Sequence, residues 1–197
     1  MSEQIDEQVP ATTTSRMTGA ARRDQILAAA RRVFADKGFA ATTDEVARAA
    51  GVSQPYVVRL FGSKRELFLA AYRQAAAEIE EALGSVEAGP DAGLGMAQAY
   101  VRLLDDRDLL RLTMHGFLAG SDDEVGKIAR HTLGEAFRLF RDRTGATDDE
   151  ARVFVASGML INVLLAVDAP AHPGEDAGMD SLVECVVTNI DEQRRSA

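Results

Sequence analysis

Gln54, Pro55 and Tyr56 stand together at the start of a short apolar-periodic segment, and Arg59 follows one turn later. A glutamine amide can pair bidentately with adenine, and a proline ring can contact a thymine methyl, so this edge carries the chemistry of base readout. Thr42 and Thr43, Ser53, and Lys64 fall where three successive helices would begin. A hydroxyl or ammonium beside the backbone donors of a helix start is a natural phosphate contact.

Three helical patterns and one tight turn would have to position these groups. Ile26, Ala30, Val33 and Phe34 repeat at helical spacing and predict a first helix over roughly 18–37. Gly38 follows, where a left-handed cap is expected. Thr42, with Glu45 three residues on, forms a capping box for a second helix whose buried side is Val46, Ala47 and Ala50. Gly51 allows the turn. Ser53 is a suitable N-cap for a third helix, and Pro55 falls in its first turn, where a missing N–H costs little. Val57, Leu60 and Phe61 would face inward. Gly62 stops this helix, and Ser63 with Glu66 caps a fourth. The pattern is that of a helix-turn-helix, whose second helix enters the DNA major groove.

The segment from about 20 to 72 resembles the TetR family, the tetracycline-repressor-like bacterial regulators. The matching residues are Phe34 with Lys37-Gly38-Phe39, then Ala41-Thr42-Thr43, the run Val46 to Ser53, and Phe61 to Phe68. Past residue 72 there is no match of sequence, only the length and helical layout the family implies. The resemblance implies that Gln54 to Tyr56 form the reading edge. It departs at Val58 and Leu60, where an aromatic residue and a histidine are often found; Tyr56 and Arg59 are the residues able to stand in for them.

Charge placement agrees. The chain is acidic overall, with a net charge of −9. Residues 16–65 nevertheless carry ten Lys or Arg against four Asp or Glu, a net +6, whereas residues 66–197 carry twelve against twenty-four, a net −12. A basic head is drawn to phosphate and an acidic body is repelled by it. The single cysteine, Cys185, excludes a disulfide framework and a thiolate metal cluster. No apolar run approaches the ~20 residues of a membrane span. The N-terminal residues are polar and acidic, without the apolar core of a signal peptide. Residues 1–17 are expected to be a disordered arm, 18–66 the DNA-binding domain and 67–197 a helical ligand-binding and dimerisation domain. The expected location is cytoplasmic, away from the membrane.

The body reads as helix throughout: 64–83, 94–105, 107–119, one opened by Ser121 to Glu124 and closed at Gly145, one from the capping box of Thr147 and Glu150 to about 167, and one over 179–193. The fold class is all-α, with about nine helices. Met96, Tyr100, Leu103, Met114, His115, Phe117, Leu118, Phe137 and Asn162 are candidate ligand contacts, because sparse polar groups among apolar ones are what small-molecule pockets show. The same residues also suit an ordinary core. His115 and Asn162 each interrupt an apolar helix and need a partner if buried. Val155, Gly158 and Met159 on the eighth helix, with Leu182, Val186 and Ile190 on the ninth, give apolar surfaces wider than one core requires. The resemblance implies that they pair two subunits.

His115, His131 and His172 have no metal-ligand spacing, and no strand precedes Gly51-Val52-Ser53 to make it a nucleophile elbow. No cofactor, no metal and no catalytic residues are expected. The expected partners are operator DNA, a second copy of the chain and a small apolar or amphipathic effector. The expected function is a DNA-binding regulator, a repressor released from a palindromic operator by that effector. The alternative class is a helical enzyme or binding module with an incidental helix-turn-helix.

Overall fold

Residues 18–195 are described in a computed structural model, with side chains as far as Val186. The expected arm over 1–17 and the side chain of Ile190 lie outside the described residues. Nine α-helices are present among the described residues: α1 Gly19–Lys37, α2 Thr43–Ala49, α3 Gln54–Phe61, α4 Lys64–Gly84, α5 Ala92–Leu103, α6 Arg107–Leu118, α7 Asp123–Thr144, α8 Asp148–Ala166 and α9 Ala177–Arg195. Short 3-10 turns follow α1 and α8. None of the described helices is long and apolar enough to cross a membrane.

The caps explain most of these boundaries. Thr42 and Thr147 each accept from the backbone N–H three residues on, and Glu45 and Glu150 return the bond, so both expected capping boxes form. Ser63 accepts from the Glu66 N–H at the start of α4. Ser53 occupies the N-cap of α3, but its side chain makes no capping bond. Gly145 ends α7 in the left-handed conformation. Two boundaries differ from the sequence reading. α5 begins two residues earlier and ends at Leu103, because the chain after Gly89-Pro90 turns at once into the helix. α9 begins at Ala177, where Asp176 accepts from the Met179 N–H.

α1, α2 and α3 close over a core of Ile26, Phe34, Val46, Val57 and Phe61. α4 starts in this head and runs on into the body. Its 21 residues span about 31 Å at 1.5 Å per residue. Phe68 and Tyr72 on α4 continue the head core into the body core of Leu83, Met96, Leu109 and Leu112. α6 packs on both α1 and α4, α7 lies between α4 and α8, and α9 packs on α5. Head and body therefore share one continuous apolar core.

Candidate nucleic-acid interface and body cavity

Val57 and Phe61 bury one side of α3, which turns its other side outward. Pro55 and Arg59 are exposed there, with Gln54, Tyr56 and Val58 half-buried. Gln54 Nε2 donates to Thr43 Oγ1 at 3.1 Å, so the first residues of α2 and α3 are tied together. The Arg59 guanidinium lies 5.0 Å from the centre of the Tyr56 ring. The turn between the two helices is held at Gly51, whose φ of +64° suits glycine, by Val52 N–H donating to Ala47 O and by Gln25 Nε2 donating to Ala50 O at 2.9 Å. Arg23 lies over the Phe61 ring at 4.4 Å.

The expected phosphate groups are arranged less uniformly. Thr42 is engaged in its capping box. Lys37 Nζ donates to Glu45 Oε1 at 2.6 Å, and that bond with the Thr42 N–H and hydroxyl holds the Glu45 carboxyl down at about 2. Lys64 Nζ donates to the Phe39 carbonyl at 2.7 Å, a partner its sequence position did not announce. An ammonium has three donors, so this bond orients Lys64 and leaves two. The eight candidate contacts all belong to the outer side of α2, α3 and the start of α4.

Arg65, Arg31 and Gly38 join head to body, and Gly116 locks α6 on α4 beside them. Arg65 grips Asp122, the N-cap of α7, with Nε and Nη2 at 2.7 and 2.8 Å. The guanidinium holds the Asp122 carboxyl below its ordinary value. Arg31 on α1 pairs with Glu78 on α4 and with Asp106, the N-cap of α6. Its Nε is buried and without a partner among the described residues. Gly38 has φ +53°, and a Cβ there would fall 2.5 Å from His115 Nδ1. Gly116 faces the Tyr72 ring so closely that a Cβ would overlap it. Burial pushes the Tyr72 hydroxyl up to about 12.

α4 to α9 surround a cavity of about 520 Å³, within the usual range for small-molecule sites. α6 presents Thr113 and Phe117 to it, one turn apart, while Leu109, Leu112 and Gly116 on its other sides face the head and α4. α7 contributes Leu133, Ala136 and Phe140 at the same kind of spacing. Phe140 stacks on Phe154 of α8, with centroids 4.3 Å apart and planes at 17°. Tyr100 donates from its hydroxyl to Asn162 Oδ1 at 2.8 Å. Thr113 and Thr132 donate to Leu109 O and Glu80 Oε1. Nine lining residues lie between Val153 and Asn162 of α8, so the space reaches round that helix to its outer side, where Val153 is exposed.

The candidate ligand residues therefore divide. Tyr100, Phe117 and Asn162 line the cavity, and Tyr100 is the partner Asn162 needed. Met96 is fully buried in the core, and Leu103 packs against that core. Met114, His115, Leu118 and Phe137 do not line it. His115 and Leu118 border a smaller hollow at the head–body junction with Phe39 and Asp122. Phe137 lies under Arg141, one helical position off the α7 stripe that faces inward. Val155, Gly158, Met159, Leu182 and Val186, singled out for pairing, border the outer part of the same cavity.

A helix-turn-helix head is here continuous with a helical body that surrounds a cavity. The family model described as bacterial regulatory proteins, tetR family, matches residues 26–71. The HTH-type transcriptional activator FasR of Mycolicibacterium smegmatis is 36% identical over 97 residues, which are 49% of this chain and 38% of that protein. The chain thus matches well under half the length of that curated relative. The structure of a TetR-family member from Streptomyces coelicolor A3 is similar with a TM-score of 0.65 and 25% identity, covering 85% of this chain and 96% of that one. A transcriptional regulator from Rhodococcus sp. Rha1 is similar with a TM-score of 0.67 and 20% identity, covering 86% and 96%. Residues 26–71 thus match the tetR-family model, and the fold as a whole is similar to that of a TetR-family member.

Proposed function

We propose that this protein is a homodimeric, ligand-responsive transcriptional regulator of the cytoplasm, a repressor that leaves its operator when a small, largely apolar molecule fills the body cavity. One observation carries this reading. α6 presents Thr113 and Phe117 to the cavity while the residues beside them, Gly116 and His115, press on Tyr72 of α4 and Gly38 of the head. A rotation of α6 that makes room for a ligand must therefore move the base of the DNA-reading head. A ligand that bound both arrangements equally would shift nothing, and a hundredfold release from DNA requires about 2.7 kcal/mol of differential affinity. By linkage, operator DNA weakens ligand binding by the same factor.

The reading edge is Gln54, Pro55 and Tyr56, with Arg59 beside them and Thr42, Thr43, Ser53 and Lys64 on the flanking phosphates. Val163 on α8, Val167 at its C-cap, and Met179 and Leu182 on α9 expose apolar surface, which suits pairing of two copies. A symmetric pair places two α3 helices about one DNA turn apart, roughly 34–36 Å, and calls for a palindromic site. The name of the M. smegmatis relative supports the opposite sign of control, activation from the same operator. Genome-wide mapping of bound sites, followed by transcription from those promoters in vitro, tests both. Palindromic sites at which added protein lowers transcription are the expected result. Raised transcription assigns activation, and binding without any sequence preference overturns the regulator reading. Ala97→Trp, which fills the cavity from α5 and leaves α6 untouched, is expected to abolish ligand response while preserving operator binding.

A further inference from the structure

One polar pair stands in the wall of the cavity. Asn162 is 1% exposed, and its Oδ1 is taken by the Tyr100 hydroxyl. With the amide in this orientation, Oδ1 faces the phenol. Its Nδ2 donors are left with Met159 Sδ at 3.9 Å, a weak acceptor. Asn162 and Tyr100 both line the cavity. A buried donor with so poor a partner is costly, and a ligand acceptor placed there recovers the cost.

Charge narrows the ligand further. Among the described residues that line the cavity, none is Lys, Arg or His. The ionised group that does line it is Glu150, at the exposed start of α8, whose carboxyl is held below its ordinary value by the Thr147 N–H and hydroxyl. The remaining walls are mainly Phe117, Phe140, Phe154 and aliphatic side chains, with the hydroxyls of Thr113, Thr132 and Ser157 among them. An anion seated at Asn162 would lose its water without gaining a counter-charge. A cation would meet amide N–H groups, which are donors like itself. A neutral acceptor loses little and gains the bond.

Resting on the sensor reading above, we propose that the effector is an uncharged molecule with an apolar chain or ring body and one carbonyl group, an ester, amide or ketone, whose oxygen accepts from Asn162 Nδ2. Free carboxylic acids, their thioester conjugates with highly charged carriers, and alkylammonium compounds are then poor effectors.

Three probes of matched length separate the possibilities at pH 7.5: methyl decanoate, decanoate and decylammonium, each titrated calorimetrically into the full-length protein below its micellar concentration. Methyl decanoate is expected to bind at least tenfold more tightly than either ion. Asn162→Leu keeps the volume and removes the donors, and is expected to weaken the ester about three- to tenfold, the scale of one net hydrogen bond, with operator affinity unchanged. Tyr100→Phe keeps the ring, frees the amide to turn, and is expected to weaken it less. It also serves as the test if Asn162→Leu does not fold. Binding of decanoate or decylammonium within threefold of the ester overturns the proposal and leaves the sensor reading standing. So does an ester affinity unchanged in both variants. If none of the three binds a wild-type protein that still holds its operator, the cavity is no sensor for such molecules and both readings fall.

Discussion

At the scale of single residues, the proposed reader and the proposed phosphate clamp are braced differently. Gln54 sits at the first position of α3 with its amide braced against Thr43, so its remaining amide atoms are presented in a fixed orientation. Gln54→Ala is expected to lose about 1–3 kcal/mol of specific binding and to relax preference at one operator position, which competition gel shifts with single-base variants would reveal. Lys64→Ala is expected to weaken all sequences alike and to make the salt dependence shallower by about one unit. A sequence-selective loss would count against a clamp. Gly116 tests the joint instead. Gly116→Ala must displace the Tyr72 ring, an overpacking cost of about 1–3 kcal/mol, and a lowered melting temperature partly restored by Tyr72→Leu is the expected outcome.

At the scale of elements, the helices were largely legible and the faces were not. Caps such as Thr42/Glu45, Thr147/Glu150 and Gly145 are local chemistry, so sequence spacing reveals them. Which side of a helix meets a cavity depends on what packs on its other side. α6 buries three sides, Leu109 and Leu112, Gly116, and Thr113 with Phe117, so its apolar pattern has no single stripe from which to read a phase. His115, polar in an apolar helix, looked like a ligand group and instead presses on Gly38. In α7, Phe137 and Phe140 were equally apolar in sequence, and only the stack on Phe154 distinguishes them. The eight candidate DNA contacts gather on the outer side of α2, α3 and the start of α4, because a short helix with two buried residues leaves little choice of face.

The ties between elements also set a pH response. Asp122 is held below its ordinary value by Arg65, and Glu45 is held at about 2, first by Lys37. A carboxyl whose folded value is lowered contributes stability that is present above its unfolded value, roughly pH 4, and is lost as the pH falls through the lowered one. Thermal melting is therefore expected to be insensitive to these groups above pH 5 and to fall between about pH 4 and 2. Glu45→Gln should show a smaller loss over that interval than the wild type. An equal loss would mean the Lys37–Glu45 bridge contributes nothing to folding.

At the scale of the whole molecule, α8 and α9 carry apolar surface that one copy does not cover, and the cavity opens toward the same side. A second copy seated there would roof the cavity as well as pair the heads. Val186→Glu would bury an unpaired charge in that contact and is expected to give monomers that bind operator poorly, while retaining helical content. Sedimentation of a wild-type monomer at micromolar concentration would remove the dimer from the account.

The opposed charges of the two ends also decide how the protein finds DNA. With +6 over residues 16–65 and −12 over residues 66–197, each subunit is an electric dipole as well as an anion. In the field of a duplex it is turned before it touches, with the body facing away and α3 forward. Encounters then begin near the productive orientation, which removes part of the rotational search that otherwise slows docking of specific surfaces. The association rate should consequently fall steeply with added salt as the Debye length shrinks below the head's own dimensions, from about 30 Å at 0.01 M to about 8 Å at 0.15 M. Stopped-flow mixing with labelled operator at those two salt concentrations reads this directly. A rate that hardly changes would mean the protein arrives in random orientation and its charge separation serves only to hold it once bound.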